Sequence, residues 1–170
     1  MKRHNYLNHE QVIKIRKIGE RDRLWVKSLW EENWHGDFMI TRGRTHRLDD
    51  VDGFIAEKGG EKVGSISYRT FNDELEIISM DSLAESKGIG TALVDAVLAA
   101  GKAKGSHRVM LITTNDNTHA LRFWQKRGFR LVKVYPGAVD ESRKLKPGIS
   151  LLGNDGIPLR DEIELEIKFL

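Results

Sequence analysis

Two glycines, Gly88 and Gly90, stand directly before a stretch whose apolar residues recur at helical spacing. The first N–H groups of a helix have no partner within the helix and carry positive partial charge, so they attract an anion such as a phosphate. Glycine lacks a Cβ, which lets the backbone approach that anion closely. The stretch matches neither the GxxxxGK[ST] phosphate loop nor the GxGxxG dinucleotide motif. It therefore indicates either a phosphate-binding turn of another kind or an ordinary turn between a strand and a helix.

The elements around this turn follow from the spacing of apolar residues. Residues 52–58, 61–71 and 74–83 are strand-like runs separated by Gly-Gly and Asn-Asp pairs, which predicts an antiparallel meander. Residues 107–114 contain four consecutive apolar residues, as in a strand buried on both faces. The remaining regular elements are a strand at 12–18, a helix at 20–34, a helix at 117–128 and a strand at 129–135. This order predicts one mixed α/β domain, spanning residues 1–170, around a twisted sheet.

Three further segments complete the chain. Residues 35–50 predict a loop with a short extended piece. Residues 136–161 contain all three prolines and no sustained periodicity, apart from a short helix at 139–145. The last strand, 162–169, alternates apolar with charged residues, which predicts that one of its faces is in contact with water.

Composition excludes several classes of function. Without cysteine, the chain has no disulfide, no thiolate metal site and no cysteine nucleophile. No apolar run is long enough to cross a membrane, and no apolar signal core follows the basic start, so we expect a cytoplasmic protein. The net charge is +3, and basic residues are in excess over the first 47 positions without interleaved aromatic residues, so nucleic acid is not the favoured partner. The histidine and carboxylate spacing predicts no metal site.

A second motif supplies the context for the glycines. The stretch 113–132 contains Asn117, Ala120 and Trp124, followed by the run Lys126–Phe129. Together with Glu85, Gly88 and Gly90, these residues closely resemble the two conserved motifs of the GNAT acetyltransferase superfamily, [RQ]-x-x-G-x-[GA] and the Asn…aromatic…Gly-Phe block, in the family's order and spacing. The resemblance covers residues 54–135 well and the region after Pro136 hardly at all.

This resemblance implies a GNAT-like fold and an acetyl-CoA site. The implied fold is a central, twisted, mixed but mostly antiparallel sheet, flanked by helices and splayed between the family's fourth and fifth strands around the pantetheine arm of acetyl-CoA. Backbone N–H groups would hold the pyrophosphate at Lys87, Gly88, Ile89, Gly90 and Thr91. The strand residues that would pair with the pantetheine are Met80, Asp81, Ser82 and Leu83. Asn117 would bind the cofactor arm, Trp124 would line its channel, and Lys87, Arg122 or Lys126 would meet the 3′-phosphate.

The family reaction also implies a base and an acid. A carboxylate on the strand before the glycine turn is the usual base. Alternation along that strand puts Glu76 with Ile78 and Met80 on one face, so Glu76 is the predicted base, with Asp81 on the other face as its main rival.

Two departures from the family pattern affect these roles. Glu85 occupies the [RQ] position, beside the expected diphosphate. Trp124 stands where the family's tyrosine supplies the general acid, so Tyr135, His119 or water would replace it.

The sequence thus predicts an N-acetyltransferase that moves acetyl from acetyl-CoA, as co-substrate, to a primary amine of a small molecule or a protein. The alternatives are a non-catalytic acyl-CoA-binding sensor, and an acetyltransferase acting on an RNA-linked or ribosomal amine. The acceptor pocket would be formed by residues 30–44, where Trp30, Trp34, Arg42 and Arg44 suit an aromatic or anionic group, and by residues 136–160. No membrane partner is expected, and a homodimer is possible.

Overall fold

The computed structural model describes residues 12–84 and 88–170. In chain order, the elements are β1 (Ile13–Lys17), α1 (Arg23–Trp34), β2 (Phe38–Thr41), β3 (Arg44–Arg47), β4 (Asp52–Lys58), β5 (Glu61–Phe71), β6 (Glu74–Ser82), α2 (Ile89–Ala103), β7 (Arg108–Thr114), α3 (Thr118–Lys126), β8 (Arg130–Tyr135), α4 (Ala138–Leu145) and β9 (Glu162–Lys168). Among the helices in these two ranges, none is both long and apolar enough to cross a membrane.

Seven strands form one sheet in the order β1-β4-β5-β6-β7-β9-β8. Only the β6–β7 pair is parallel, and α2 supplies the crossover that a parallel pair requires. The other pairs are antiparallel, including the β4–β5–β6 meander predicted from the Gly-Gly and Asn-Asp turns. The predicted mixed, mostly antiparallel sheet flanked by helices is therefore confirmed.

Both faces of the sheet are packed. On one face, the stripe of α2 that includes Leu93 and Val97 is buried against β6 residues such as Leu75. On the other face, α1 contributes Val26 and Trp30 to a second apolar cluster with Ile55 and Ile78. Burial on both sides explains why the central strands are almost continuously apolar.

The sheet is split between β6 and β7. Their pairing runs from Glu74↔Arg108 to Ile77↔Leu111 and stops there, although β6 continues to Ser82 and β7 to Thr114. Beyond the last pair, backbone amides and carbonyls on the two facing edges have lost their partner strand. The split predicted from the family resemblance is thus present.

A bulge in β6 corrects the predicted face of several residues. Ser67 pairs with Ser79 while Tyr68 pairs with Ile77, so Ile78 is an extra residue and the alternation is shifted after it. Met80 therefore packs with the α2-side cluster, away from Glu76. The prediction that Glu76 and Met80 share a face was wrong, because a bulge depends on the partner strand and leaves no signal in the local spacing.

Residues 38–47 form a β-hairpin, where the sequence predicted mainly a loop. Strands β2 and β3 pair antiparallel, and Arg42 and Gly43 make the two-residue turn with φ of 50° and 73°. Positive φ at both central residues is typical of a type I′ turn, and it strains a non-glycine residue such as Arg42. The hairpin tip lies against the sheet on the α1 side, because the Arg42 amide donates to Glu162 on β9.

The first part of the charged side of β9 is buried, whereas Lys168 near its end is 70% exposed, so the predicted water-exposed face is only partly present. Glu162 and Glu164 are 2% and 4% exposed. The hairpin tip covers them through Arg42, and Arg108 of β7 lies 3.6 Å from Glu164. Alternating charged residues therefore indicate an outward face only if no other element with opposite charge covers them.

The segment between β8 and β9 is ordered around α4, as the short-helix prediction proposed. Asn115 holds its end by accepting from the amides of Arg160 and Asp161. Lys146 fastens its middle to the end of α1 and the start of β2, donating to the carbonyls of Trp34 at 2.8 Å and Phe38 at 2.7 Å. These bonds fix the segment beside the split in the sheet.

Candidate active site

One long groove of about 950 Å³ follows the split in the sheet. It runs from the start of α2, past the free edges of β6 and β7, to the hairpin β2–β3 and the segment around α4. Predicted site residues that line it are Met80, Ser82, Gly88, Ile89, Gly90, Thr91, Asn117 and Trp124. A groove that follows a split sheet combines unpaired backbone groups with a helix N-terminus, which suits an elongated polar ligand.

The first end of the groove is the N-terminus of α2. Gly88 is its N-cap with φ 73°, and the first helical bond runs from Ala92 N to Gly88 O. The N–H groups of the first helical residues, Ile89 to Thr91, therefore point out of the helix. A Cβ on Gly90 would lie 3.0 Å from the Phe123 ring, so the backbone here is packed closely against α3.

Cations surround this end. Arg127 donates to Thr91 Oγ1 at 2.8 Å and stacks over the Phe123 ring at 3.4 Å. Partial burial lowers the pKa of Arg127. Arg122 and Lys126, predicted for the 3′-phosphate, also line the groove and are exposed. Arg127 was assigned only to the second motif from sequence, since nothing local indicates that it reaches the glycine turn.

The second motif begins α3 and lines the middle of the groove. Asn117 is the N-cap, and its Oδ1 accepts from Ala120 N at 3.0 Å. Its Nδ2 is the other polar group of the same amide and can donate a hydrogen bond. Trp124 is 6% exposed and packs edge-on against Phe123 and Phe129, so it belongs both to the core and to the groove wall.

Glu76 lies under the hairpin tip and is not part of the groove wall. It is fully buried, and its Oε1 accepts from Thr41 Oγ1 at 2.6 Å. Its Oε2 lies 3.5 Å from the Arg42 guanidinium and 3.9 Å from that of Arg44. Burial raises the pKa of Glu76, whereas the hydrogen bond from Thr41 and the positive charges of Arg42 and Arg44 lower it. Thr41 does line the groove, so it connects the groove to Glu76.

A neutral histidine orients the Thr41 hydroxyl. Arg69 can only donate, so the 3.1 Å contact to His46 Nδ1 makes that nitrogen an acceptor and leaves the proton on Nε2. His46 Nε2–H then donates to Thr41 Oγ1 at 2.7 Å, and the Thr41 proton points to Glu76. Burial, with the charge of Arg69, lowers the pKa of His46 to about 4. Neither Thr41 nor His46 was predicted as a site residue, because the stretch 35–50 has the sequence pattern of a loop.

Asp81 and Tyr135 lie near the groove but outside its wall, whereas His119, the other candidate acid, lines the groove. Burial raises the pKa of Asp81 to about 6, and Asn33 donates to its Oδ1 at 2.9 Å. After the bulge, Asp81 lies on the α1 side, as Glu76 does, and not on the opposite face as predicted. Tyr135 pairs with Glu162 across β8 and β9, and its hydroxyl donates to Glu164 at 3.4 Å.

Leu83 and Lys87 were also predicted to bind the cofactor. Leu83 is exposed, and its amide already donates to Val63 O at 2.9 Å, so its N–H belongs to the pairing with β5. Lys87, predicted for the pyrophosphate and the 3′-phosphate, lies outside the described residues, as does the unusual Glu85.

Residues of both segments predicted to form the acceptor pocket line the groove, but Trp30, Arg42 and Arg44, proposed for an aromatic or anionic group, do not. Trp30 is fully buried and donates to Ser79 at 3.0 Å, so it is a core residue. Arg42 lies between the carboxylates of Glu76 and Glu164, and Arg44 stacks over the Phe71 ring at 3.9 Å. Only Trp34 of the four proposed residues lines the groove. The arginines are therefore engaged with the protein's own acids and rings.

Comparison with known proteins identifies similar chains. A family model described as the Acetyltransferase (GNAT) family matches residues 20–129. The uncharacterized protein YdhI of Bacillus subtilis is 44% identical over 139 residues, which are 81% of this chain and 87% of that protein. A Bacillis subtilis acetyltransferase solved in complex with CoA has a TM-score of 0.70 at 22% identity, covering 94% of this chain and 100% of the other. A GNAT family acetyltransferase from Elizabethkingia anophelis, solved with acetyl-CoA bound, has a TM-score of 0.70 at 19% identity, covering 92% and 98%.

Proposed function

The chain belongs to the GNAT acetyltransferase family, and we propose that it transfers an acetyl group from acetyl-CoA to a primary amine. The observation that carries this proposal is the groove that joins the open N-terminus of α2 to the split between β6 and β7. One end of it offers N–H groups and arginines for phosphates, and the other end meets a buried carboxylate network. This arrangement fits a long anionic thioester at one end and an amine at the other.

The residues at the α2 end fit the charged part of CoA. The N–H groups at Ile89 to Thr91 would hold the diphosphate, and Arg127, Arg122 or Lys126 would balance its charge. A Cβ at Gly90 would lie 3.0 Å from the Phe123 ring, so a side chain at this position would require the ring to shift. The free β6 edge at Met80 and Ser82, with Asn117 Nδ2, would bind the amides of the pantetheine arm. Trp124 would give that arm an apolar wall.

Glu76 is the proposed base, acting through the Thr41 hydroxyl. Thr41 already donates its proton to Glu76 and accepts from His46, which leaves one lone pair of Oγ1 for an N–H of the acceptor. As the amine nitrogen bonds to the thioester carbonyl carbon, the C–S bond breaks and an ammonium acceptor loses two protons in all. One proton passes by way of Thr41 to Glu76, and the other goes to the leaving thiolate. A base whose pKa is raised towards neutrality suits this step.

Tyr135 remains the proposed acid, although its contact with Glu164 directs the hydroxyl to β9. A thiolate is a fair leaving group without a general acid. If Tyr135 protonates the thiolate, Tyr135→Phe should lower kcat, and a silent substitution would mean that the thiolate leaves without a general acid.

The test is release of free thiol from acetyl-CoA over a panel of amines, with CoA binding measured separately by titration calorimetry. Glu76→Gln should lower kcat about a hundredfold or more while sparing CoA binding. Thr41→Val should do the same, because it removes the hydroxyl while keeping the shape. Thr41→Ser is the matched control and should restore turnover, since it restores the hydroxyl.

Other outcomes identify the rivals. Full turnover in Glu76→Gln would reassign the base to Asp81 or solvent. Tight CoA binding with no turnover on any amine would favour a non-catalytic acyl-CoA sensor, which the Trp124 substitution motivates. Salt-sensitive retention of RNA would favour an RNA-linked or ribosomal acceptor.

A further inference from the structure

Glu162 is a buried carboxylate that lines the groove with no cation beside it. It is 2% exposed, and its Oε2 accepts from the Arg42 backbone amide at 2.9 Å. Among the described residues, no Lys, Arg or His side-chain nitrogen lies within 4.0 Å of this carboxylate, and the Arg42 guanidinium is directed to Glu76 and Glu164 instead. The neighbouring buried acids differ: Glu76 lies 3.5 Å and Glu164 3.3 Å from the Arg42 guanidinium. Glu162 therefore stands out within its own network.

A buried charge without a partner is unfavourable. Removing a carboxylate from water costs several kcal/mol unless an opposite charge or several hydrogen bonds replace the solvent. Burial raises the pKa of Glu162, and the negative charge of Glu76 raises it further, whereas the hydrogen bond from the Arg42 amide and the charge of the Arg42 guanidinium lower it. A cation delivered by a ligand would supply the missing countercharge.

Among the described residues, the lysines and arginines that line the groove belong to its phosphate end or are already engaged, and His35 and His119 also line it. Arg122, Lys126 and Arg127 belong to α3 and its C-cap, at the phosphate end. Lys146 lines the groove, but its Nζ is bound to the carbonyls of Trp34 and Phe38. The hairpin, β6 and the α4 segment contribute apolar side chains to the wall, among them Met39, Ile40, Ile78, Ile149, Leu152 and Leu159, together with the hydroxyl groups of Thr41, Ser79, Ser142 and Ser150.

We propose that Glu162 binds the ammonium group of the acceptor, and that the acceptor is a small primary amine with an apolar body and no carboxylate beside its nitrogen. The apolar wall would hold the body of the acceptor, and the Glu162 carboxylate would hold its charge. This inference rests on the proposed acetyl transfer, whose amine it specifies.

An acceptor carrying its own carboxylate fits less well. Such a group would lie near Glu162 as a like charge, and both hairpin arginines are already engaged with protein acids or the Phe71 ring. An α-amino acid would bring one favourable and one unfavourable charge to the same place. The site should therefore discriminate between amines that differ only in this carboxylate.

The experiment titrates the protein without CoA by calorimetry, using phenethylamine, phenylalanine and 3-phenylpropionate as matched probes. Phenethylamine should bind at least tenfold more tightly than either carboxylate-bearing probe. Glu162→Gln should weaken phenethylamine binding by about tenfold to a hundredfold. The same variant should raise Tm by about 2–4 °C, because it removes an unpaired buried charge, whereas a purely structural role would lower Tm.

Glu166→Gln is the matched control, because Glu166 lies on the same face of β9 but pairs with Arg108 at 2.7 Å, outside the groove wall. It should leave phenethylamine affinity unchanged. This inference would be overturned by equal binding of the three probes or by unchanged phenethylamine affinity in Glu162→Gln. It would also be overturned by tighter binding of a trialanine amide, which represents a peptide acceptor. CoA titrated into the same protein separates the two proposals. Absence of CoA binding overturns the acetyl-transfer function, whereas CoA binding without discrimination among the probes overturns the acceptor assignment alone.

Discussion

Replacing Arg42 with alanine removes a side chain that joins three elements at the candidate active site. Its guanidinium lies 3.5 Å from Glu76 on β6 and 3.3 Å from Glu164 on β9, while its own residue forms the tip of the β2–β3 hairpin. Glu164 keeps a second cation, Arg108, at 3.6 Å. Glu76 keeps only Thr41 and the half-exposed Arg44 at 3.9 Å. The main consequence of the substitution is therefore a fully buried Glu76 carboxylate without an adequate countercharge.

The expected cost follows from the burial of this pair. Removing one partner of a buried ion pair destabilises a protein by about 3–5 kcal/mol, and we expect about 3 kcal/mol here because the Arg42 side chain is 23% exposed and Arg44 remains nearby. Glu76→Gln alone should cost about 1 kcal/mol, since its amide oxygen can still accept from Thr41. In the double variant the uncompensated charge is gone, so its cost should fall below the sum of the single costs by about 2 kcal/mol.

Urea unfolding at pH 7.5, followed by circular dichroism, measures all four free energies of the cycle. In thermal scans, Arg42→Ala alone should lower Tm by about 6–12 °C for a chain of this size. Single costs that add to within about 0.5 kcal/mol would contradict this prediction, because they would mean that Glu76 does not depend on Arg42 for its countercharge.

Three other substitutions test other parts of the site. Gly90→Val should weaken CoA binding by roughly tenfold or more in calorimetry with a smaller effect on folding, and unchanged affinity would contradict the phosphate site. Asp81→Asn should stabilise the protein by about 2–3 kcal/mol at pH 8 but not below pH 4. The pKa of Asp81 is about 6 in the folded protein and 3.8 ordinarily, so ionisation of this carboxylate lowers the stability of the wild type as the pH rises between these two values. A gain that stayed constant between pH 4 and pH 8 in urea unfolding would disprove this shift. Lys146→Met should raise the acceptor KM several-fold and leave CoA affinity unchanged, because it releases the α4 segment from Trp34 and Phe38. A rise in the Kd for CoA instead would mean that Lys146 supports the CoA half of the groove.

Local signals were sufficient for the half of the groove that begins at α2. The glycines, the apolar stripe after them and the Asn117 cap depend on residues within one or two helical turns of each other, and the structure has each of them where the sequence predicted it. The meander and its two-residue turns are equally local. This half of the site is therefore encoded in short-range periodicity and turn chemistry.

The half of the groove beside the β2–β3 hairpin, which is the proposed acceptor site, is formed by contacts between residues far apart in the chain. The bulge at Ile78 arises from the register of β6 against β5, and it moved Asp81 to the side of Glu76. The hairpin could not be predicted from the sequence because two of its inward residues, Thr41 and His46, are polar. Polar residues without alternating apolar neighbours have the pattern of a loop. Their burial is favourable only because Arg69 and Glu76, far along the chain, complete their hydrogen bonds.

The family, the order of strands and helices, and the helix N-terminus at the glycine turn all follow from local sequence patterns. The charge of the proposed acceptor site does not, because the ionisation and pairing of Glu76 and Glu162 depend on burial under a hairpin about 35 and 120 residues away in the chain. Local spacing reports which residues alternate along an element. The energy of a charge is set by what covers it, and that information exists only once distant segments have come together.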